Sequence, residues 1–163
     1  MALWISEKER AELTMIVDLV RNDLGRIAKT GTVRAQPRQL RSCGDLLHAE
    51  QIVSAELKPE LDALDVVAAT FPPGSVTGAP KVAAMEIIHR LESAPRGVYT
   101  GAIGLFEDDG SAHLNVAIRT ATIQNQRARF HIGAGIVADS EPDREWEETL
   151  SKGRALGMWL TAT

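Results

Sequence analysis

The chain has little of several residue types, and each scarcity excludes a class of protein. Its 163 residues include one cysteine, Cys43, so a disulfide framework and a cysteine-rich zinc site are excluded. No apolar run approaches the roughly 18 residues of a membrane helix, and the charged start lacks the apolar region of a secretory signal. A net charge of −4 offers no basic excess for nucleic acid or anionic lipid. We therefore expect a cytoplasmic protein that binds neither nucleic acid nor membrane.

Aromatic residues are scarce as well, at 4% of the chain. Because Phe, Tyr and Trp supply much of the buried area of a core, this scarcity indicates that the chain does not complete a core alone. The remaining composition, 44% hydrophobic and 25% charged, is typical of a folded globular protein. The length predicts one domain over residues 1–163, with no internal boundary.

Hydrophobic periodicity and turn residues predict an α+β fold. The first helix is expected over residues 6–24, with Ser6 as its N-cap and Gly25 as its stop. Further helices are expected over residues 61–69, 80–91 and 141–161. A short strand is expected around residues 32–34, and residues 43–57 fit either a strand or a helix. Three strands of an antiparallel meander are expected over residues 98–106, 112–124 and 127–136, separated by Asp108-Asp109-Gly110 and Asn125-Gln126.

Two of these helices carry glutamate pairs along their apolar faces. At about 100° per residue, Glu9 and Glu12 lie at the edge of the first apolar stripe. Glu145 and Glu148 lie on the last stripe, beside Lys152. Half-buried carboxylates need a partner charge or a metal, and oxygen ligands suit Mg²⁺. Surface glutamates that complement a helix dipole give the same pattern and are the commoner case, so both interpretations stay open.

Two glycine-containing segments are candidate anion sites. The backbone of Gly133-Ala134-Gly135 could cradle an anion, although a bulge is the alternative. Residues 74–81 (GSVTGAPK) resemble a phosphate loop but fail its pattern, because Pro80 precedes the lysine and no Ser or Thr follows it. Thr77 is expected to cap the next helix, whose N-terminus could receive an anion.

Three single residues have both a functional and a structural interpretation. Arg119 is expected on a strand, where a lone arginine usually lies on a solvated face. His48 is more often structural than catalytic in such a context. Tyr99 is the only tyrosine, and half-buried packing is its ordinary role.

Six segments of the chain resemble the chorismate-binding enzymes and keep that family's order. They are residues 12–23 (ELTMIVDLVRND), 71–81 (FPPGSVTGAPK), 84–88 (AMEII), 117–120 (AIRT), 133–140 (GAGIVADS) and 147–149 (EET). The family holds anthranilate synthase component I, aminodeoxychorismate synthase component I, isochorismate synthase and salicylate synthase. The resemblance covers nearly the whole chain. It implies the C-terminal portion of an α/β sandwich, an antiparallel sheet with packed helices, that is incomplete relative to the family.

The resemblance also implies a role for each matching residue. Glu12 and Glu148 would ligate Mg²⁺, with Glu9 and Glu145 in support, and the ion would bind the ring carboxylate of chorismate. Substrate binding would involve Arg119 and Tyr99 at the enolpyruvyl carboxylate, where a guanidinium fork suits the charge. The remaining anion cradle would consist of Ser75, Gly133, Ala134, Gly135 and Lys152.

His48 matches the active-site histidine of the family. The family usually reads His-Leu-Val-Ser, whereas Ala49-Glu50-Gln51 follows here and a Val-Ser pair comes later, at Val53-Ser54. Spacing favours His48 as the catalytic residue, and a shifted register would place Gln51 in its position.

The TGAPK string resembles the ammonia-using members of the family. The longer FPxGSxTGAPK string, followed by AMEII, resembles aminodeoxychorismate synthase component I more than anthranilate synthase component I. The first implies amination of chorismate to 4-amino-4-deoxychorismate for p-aminobenzoate and folate, a transaminase or lyase activity. The alternative implies the tryptophan pathway. Either implies a glutamine amidotransferase partner that supplies ammonia.

Family members are more than twice as long as this chain. The upstream segments that carry the lysine nucleophile of aminodeoxychorismate synthases and a general-acid glutamate have no counterpart here. We therefore expect the isolated chain to be inactive. A separate N-terminal half or an upstream part of the same protein would supply the missing groups. A non-catalytic binding or assembly module, from a truncated or split enzyme, is the alternative of another class.

Overall fold

Helices alternate with short antiparallel hairpins along the chain. The structure is a computed structural model that describes the backbone of residues 7–43, 46–138 and 140–160, and their side chains except 7–9, 43, 46–47 and 155–160. The helices are α1 (Glu7–Ile27), α2 (Ala63–Thr70), α3 (Gly74–Thr77), α4 (Lys81–Leu91) and α5 (Pro142–Leu160).

The strands of the described residues pair as four two-stranded antiparallel sheets. The pairs are β1 (Arg34–Ala35) with β4 (Val53–Ser54), β2 (Gln39–Cys43) with β3 (Leu46–Glu50), β5 (Ala102–Phe106) with β6 (Ala112–Val116), and β7 (Ala121–Gln124) with β8 (Arg127–Phe130). This mixture confirms the α+β prediction. The segment that fitted either a strand or a helix forms strands.

Helix α1 organises the first half of the chain. It packs against α2, α3, β1 and β4, and Val17 on its inner face is buried. The prediction that Gly25 ends the helix is wrong. The helix continues to Ile27, because the Arg26 guanidinium donates to the Ala69 carbonyl and the Lys58 amide donates to the Ile27 carbonyl. Ser6, the predicted N-cap, lies outside the described residues.

The turn between α2 and α4 lies directly on α1. Gly74 is buried, and a Cβ there would be 2.8 Å from Leu19 Cδ1. The glycine therefore allows α3 to approach α1 closely. The predicted capping of α4 by Thr77 is wrong. Thr77 Oγ1 donates to the Pro73 carbonyl at 3.1 Å, and Pro80, which has no side-chain oxygen, precedes α4.

The three-strand meander predicted for the second half is wrong, and two separate hairpins take its place. The strand expected over residues 112–124 is interrupted after Val116, because the Ile118 amide donates back to the Val116 carbonyl and Arg119 has a φ of 50°. Arg119 therefore lies in a turn and not on a strand. The strand expected over 98–106 begins at Ala102, and the one expected over 127–136 ends at Phe130.

Both predicted hairpin turns are confirmed. Gly110 between β5 and β6 has a φ of 86°. Asn125 and Gln126 between β7 and β8 have φ values of 51° and 59°, as a two-residue type I′ turn requires.

The chain exposes much of its apolar surface. Its accessible area is 12395 Å², against about 8,000 Å² for a compact monomer of this size. Every residue of β5 is exposed, including Ile103 and Leu105. Within the described residues, no helix has the length and apolar character needed to cross a membrane.

Candidate functional site

The segment after β8 lies between the loop that carries Tyr99 and helix α5. A Cβ on Gly133 would be 3.2 Å from the Tyr99 hydroxyl oxygen, and a Cβ on Gly153 of α5 would be 2.8 Å from Ile132 Cδ1. The small residues at both positions allow these close approaches. The segment therefore connects two groups of predicted site residues, Tyr99 with Gly133 on one side and those of α5 on the other.

Glu145 lines a cavity beside this segment. The cavity measures about 320 Å³ and is lined by Ala134, Ile136, Ser140, Pro142, Glu145, Trp146 and Thr149. Glu145 is 5% exposed, although it lies in the first turn of a helix, where a surface carboxylate was the alternative. Its burial removes that alternative for Glu145 and places a carboxyl group next to the glycine-containing segment.

Glu148 and Lys152 lie one and two turns further along α5. Lys152 Nζ is 2.6 Å from Glu148 Oε1, a spacing that forms a helical i,i+4 ion pair. The predicted ammonium and the predicted carboxylate are therefore direct neighbours. Gly135, between Ala134 and Ile136, completes the segment, and a Cβ there would meet nothing within 4 Å.

Arg96 holds the loop around Tyr99. Its guanidinium donates to both carboxylate oxygens of Glu92, with Nε–Oε1 and Nε–Oε2 distances of 3.0 and 2.9 Å and an Nη2–Oε1 distance of 2.6 Å. These bonds hold the pKa of the Glu92 carboxyl below its usual range. Bonding to Glu92 in turn raises the pKa of the Arg96 guanidinium. The guanidinium carbon lies 5.6 Å from the centre of the Tyr99 ring.

Residues close in sequence to Ser75 and Arg119 form hydrogen bonds with the same loop. Arg96 Nη1 donates to the carbonyl of Val76, the residue after Ser75, at 2.8 Å. The Thr100 amide donates to the Ala117 carbonyl at 2.9 Å, and Ala117 is two residues before Arg119. Ser75 and Arg119 are both exposed.

The four glutamates predicted to surround a metal do not all come together among the described residues. Glu12 is half-buried on α1, and the side chain of Glu9 lies outside the description. Within the described part of the chain, no three His, Cys, Asp or Glu side chains form a metal-binding group. Of the four, Glu145 and Glu148 are the two that the structure describes one helical turn apart on a single element.

His48 lies outside the residues linked by the contacts above. It is half-buried on β3, opposite Arg41 of β2. Gln51, the alternative residue, donates from Nε2 to the Gln36 carbonyl at 2.8 Å. Gln51 lies two residues before β4, which packs against the helix that carries Glu12.

The sequence interpretation missed two charged pairs near these residues. Arg96 and Glu92 have the i,i+4 spacing of an ion pair, three residues before the only tyrosine, and that signal could have revealed them. Asp23 on α1 is buried, and Lys81 Nζ lies 2.6 Å from its Oδ2. Asp23 follows Glu12 by eleven residues, which places it about 20° away on the same apolar face.

Comparisons with known proteins agree with these observations. The family model described as chorismate binding enzyme matches residues 1–157. Anthranilate synthase component 1 of Aquifex aeolicus is 50% identical over 151 residues, covering 92% of this chain and 31% of that protein. The chain therefore spans about a third of that relative.

Two solved structures share the fold. Anthranilate synthase component I from Streptococcus pneumoniae has a TM-score of 0.87 and 44% identity, and the match covers 94% of this chain and 36% of that one. The menaquinone-specific isochorismate synthase of Escherichia coli has a TM-score of 0.83 and 26% identity, over 93% of this chain and 35% of that one. The family resemblance and the incomplete mixed fold predicted from the sequence are confirmed, and the chain belongs to the chorismate-binding enzyme family.

Proposed function

We propose that this chain is the C-terminal, chorismate-binding part of an enzyme of the anthranilate synthase component I type. The observation that carries the proposal is the meeting of Tyr99, Gly133, Ala134 and Glu145 along one segment, with Glu148 and Lys152 next on α5. Chorismate is a dicarboxylate. Backbone N–H groups, an ammonium and a guanidinium are the groups that bind such anions.

The sequence motifs favoured aminodeoxychorismate synthase. The relatives support anthranilate synthase instead. Proteins named anthranilate synthase component 1 from Aquifex aeolicus and Haloarcula marismortui are 50% and 48% identical to this chain. The strings that favoured the other activity therefore do not discriminate between the two. Anthranilate is the product that we propose for the assembled enzyme.

The α5 residues fit a magnesium ion. Mg²⁺ commonly binds through one or two carboxylates and completes its shell with water and substrate oxygens, and Glu145 and Glu148 offer two carboxylates one turn apart. Glu12 and Glu9 would support them from α1. When bound, the ion would supply positive charge to the ring carboxylate of chorismate.

The other roles follow from position and charge. Arg119 and Tyr99 would bind the enolpyruvyl carboxylate, and Ser75 with Gly135 would complete the cradle. His48 remains the proposed catalytic residue, with Gln51 as the alternative. A glutamine amidotransferase would supply ammonia, and we place the assembled enzyme in the cytoplasm.

Calorimetric titration of chorismate into the purified chain tests the proposal. We expect binding with Mg²⁺ and its loss with a chelator. Glu145→Gln should weaken binding by about tenfold or more, as loss of a metal ligand or its support does. Glu147→Gln is the matched control, because it removes the same charge from an exposed position of the same helix and should leave binding unchanged.

Two results would contradict the proposal. Binding that survives the chelator would remove the role of the metal. The absence of binding by the chain, both alone and joined to an upstream part, would remove the cradle itself. The joined protein is a chimera in which this chain replaces the matching third of the Aquifex aeolicus relative. Its binding of chorismate is measured by calorimetry, and its formation of anthranilate from chorismate and ammonium is followed by fluorescence.

A non-catalytic assembly module is the second candidate, favoured by the large exposed surface. The same chimera separates the two candidates. Turnover that is lost in its Glu145→Gln variant supports the enzyme part, whereas a stable chimera without turnover supports the assembly module. A second chimera takes its upstream part from an aminodeoxychorismate synthase. A kcat/KM for 4-amino-4-deoxychorismate formation above that of the first chimera for anthranilate formation would favour the aminodeoxychorismate synthase activity.

A further inference from the structure

Arg96 contacts three separate parts of the structure at once. It forms a fork with Glu92 at the end of α4, donates to the Val76 carbonyl in α3 at 2.8 Å, and donates to Thr100 Oγ1 at 3.3 Å. Its side chain is 23% exposed. A planar guanidinium with five donors can make these bonds together, and an ammonium cannot.

The ring of Tyr99 lies within this set of contacts. Its centre is 5.6 Å from the Arg96 guanidinium carbon and 5.3 Å from the centre of the His131 ring, with 30° between the two ring planes. The first distance falls within the range of a cation–π interaction. Thr100, the next residue in the loop, is buried, and its φ of 63° turns the backbone sharply.

The hydroxyl end of the same ring faces the glycine-containing segment. A Cβ on Gly133 would be 3.2 Å from the Tyr99 oxygen, so a small shift of the ring would change the space beside the backbone there. Ser75 is the residue before Val76, whose carbonyl accepts a hydrogen bond from the same guanidinium. Arg96 thus contacts Tyr99 and the residue next to Ser75, and the proposed function assigns Tyr99 and Ser75 to substrate binding.

We infer that Arg96 is a positioning residue that holds Tyr99 and the α3 turn in the geometry needed to bind a dicarboxylate substrate. The bonds to Glu92 hold the guanidinium in place. The guanidinium in turn holds the α3 turn through the Val76 carbonyl and the Tyr99 loop through Thr100 and the tyrosine ring. The link to the substrate rests on the proposed function. The link to Tyr99 rests on the contacts alone.

Tyr99 is the only tyrosine, so a chain labelled with ¹³C-tyrosine gives one set of ring signals in a two-dimensional NMR spectrum. These signals are compared for the unchanged chain, Arg96→Gln, Arg96→Lys and the control Arg90→Gln, which removes the same charge from an exposed position of α4. Arg96→Lys retains the charge and guards against unfolding of the glutamine variant. Circular dichroism establishes that each variant is folded.

We expect the ring signals to move in both Arg96 variants and to stay in place in Arg90→Gln. Chorismate with Mg²⁺ should shift the ring signals of the unchanged chain. In Arg96→Lys its dissociation constant should rise by about tenfold or more, as misplacement of binding groups does. Ring signals that are unchanged in folded Arg96→Lys would overturn the inference.

The two levels of the inference fail separately. If chorismate neither moves the Tyr99 signals of the unchanged chain nor binds the chimera in the calorimeter, the proposed function and the substrate role of Arg96 are both contradicted. If chorismate moves them and the Arg96 variants bind it as tightly as the unchanged chain, the proposed function stands and the positioning role is wrong.

Discussion

At the scale of single residues, Glu92 is a partly exposed carboxylate whose ionisation depends chiefly on Arg96. Hydrogen bonds from Arg96 lower its pKa below the usual 4.5. A lowered folded-state pKa contributes stability that is present above the unfolded value and is lost as the pH falls through the folded value. The contribution is therefore complete at neutral pH and disappears in acid.

We predict that Glu92→Gln lowers the free energy of unfolding at pH 7 by about 0.5–1 kcal/mol, the range of a partly exposed ion pair with good geometry. The difference from the unchanged chain should shrink below pH 4.5 and vanish once Glu92 is protonated in the folded state. Urea unfolding at a series of pH values measures it. Glu86→Gln, on an exposed face of the same helix, is the control, and an equal loss in both variants at every pH would contradict the prediction.

At the scale of elements, one ion pair connects α4, which follows the α3 turn, to α1, on which that turn packs. Lys81 at the start of α4 and Asp23 on α1 are 20% and 10% exposed, with 2.6 Å between Nζ and Oδ2. Arg26 also contacts Asp23, at 3.1 Å. The lysine of the GSVTGAPK segment is therefore paired with a carboxylate of the protein itself.

We predict that Lys81→Met destabilises the chain by about 2 kcal/mol, less than the 3–5 kcal/mol of a fully buried pair because Arg26 still contacts the carboxylate. Lys29→Met is the matched control. It removes an exposed pair with Glu56 at 3.3 Å and should cost less than about 0.5 kcal/mol. Urea unfolding compares the two, and equal losses would show that the Lys81 pair is not special.

At the scale of the whole molecule, the chain leaves about half as much surface again exposed as a compact monomer of its length. The excess agrees with the 31% share of the Aquifex aeolicus relative that the chain covers. It also agrees with the hairpins, whose exposed residues include Ile103, Leu105 and Ile123. The low aromatic content had predicted this incompleteness.

We predict that the slope of unfolding free energy against urea concentration is about a quarter smaller than for a compact protein of 163 residues, because that slope follows the area newly exposed. Equilibrium unfolding at several protein concentrations measures the slope, and sedimentation identifies any self-association. A monomer with the full slope would contradict the exposed surface described here.

The sequence alone determined the structural features whose cause lies within a few neighbouring residues. The apolar period of α1 and α5 and the turn at Asn125-Gln126 are of this kind, and the family motifs also identified the membership of the chain. Periodicity also predicted the inward position of Glu145, because a helix places residues three and four apart on one face.

The tertiary structure decided the features that depend on distant partners. The extension of α1 past Gly25 depends on Lys58 and Ala69, and the break at Arg119 depends on the pairing of Ala117 with Thr100. The grouping of Tyr99 with Gly133, and the role of Arg96 between α3 and α4, join segments separated by tens of residues. Such contacts form only when the chain folds back on itself, so no local pattern in the sequence specifies them.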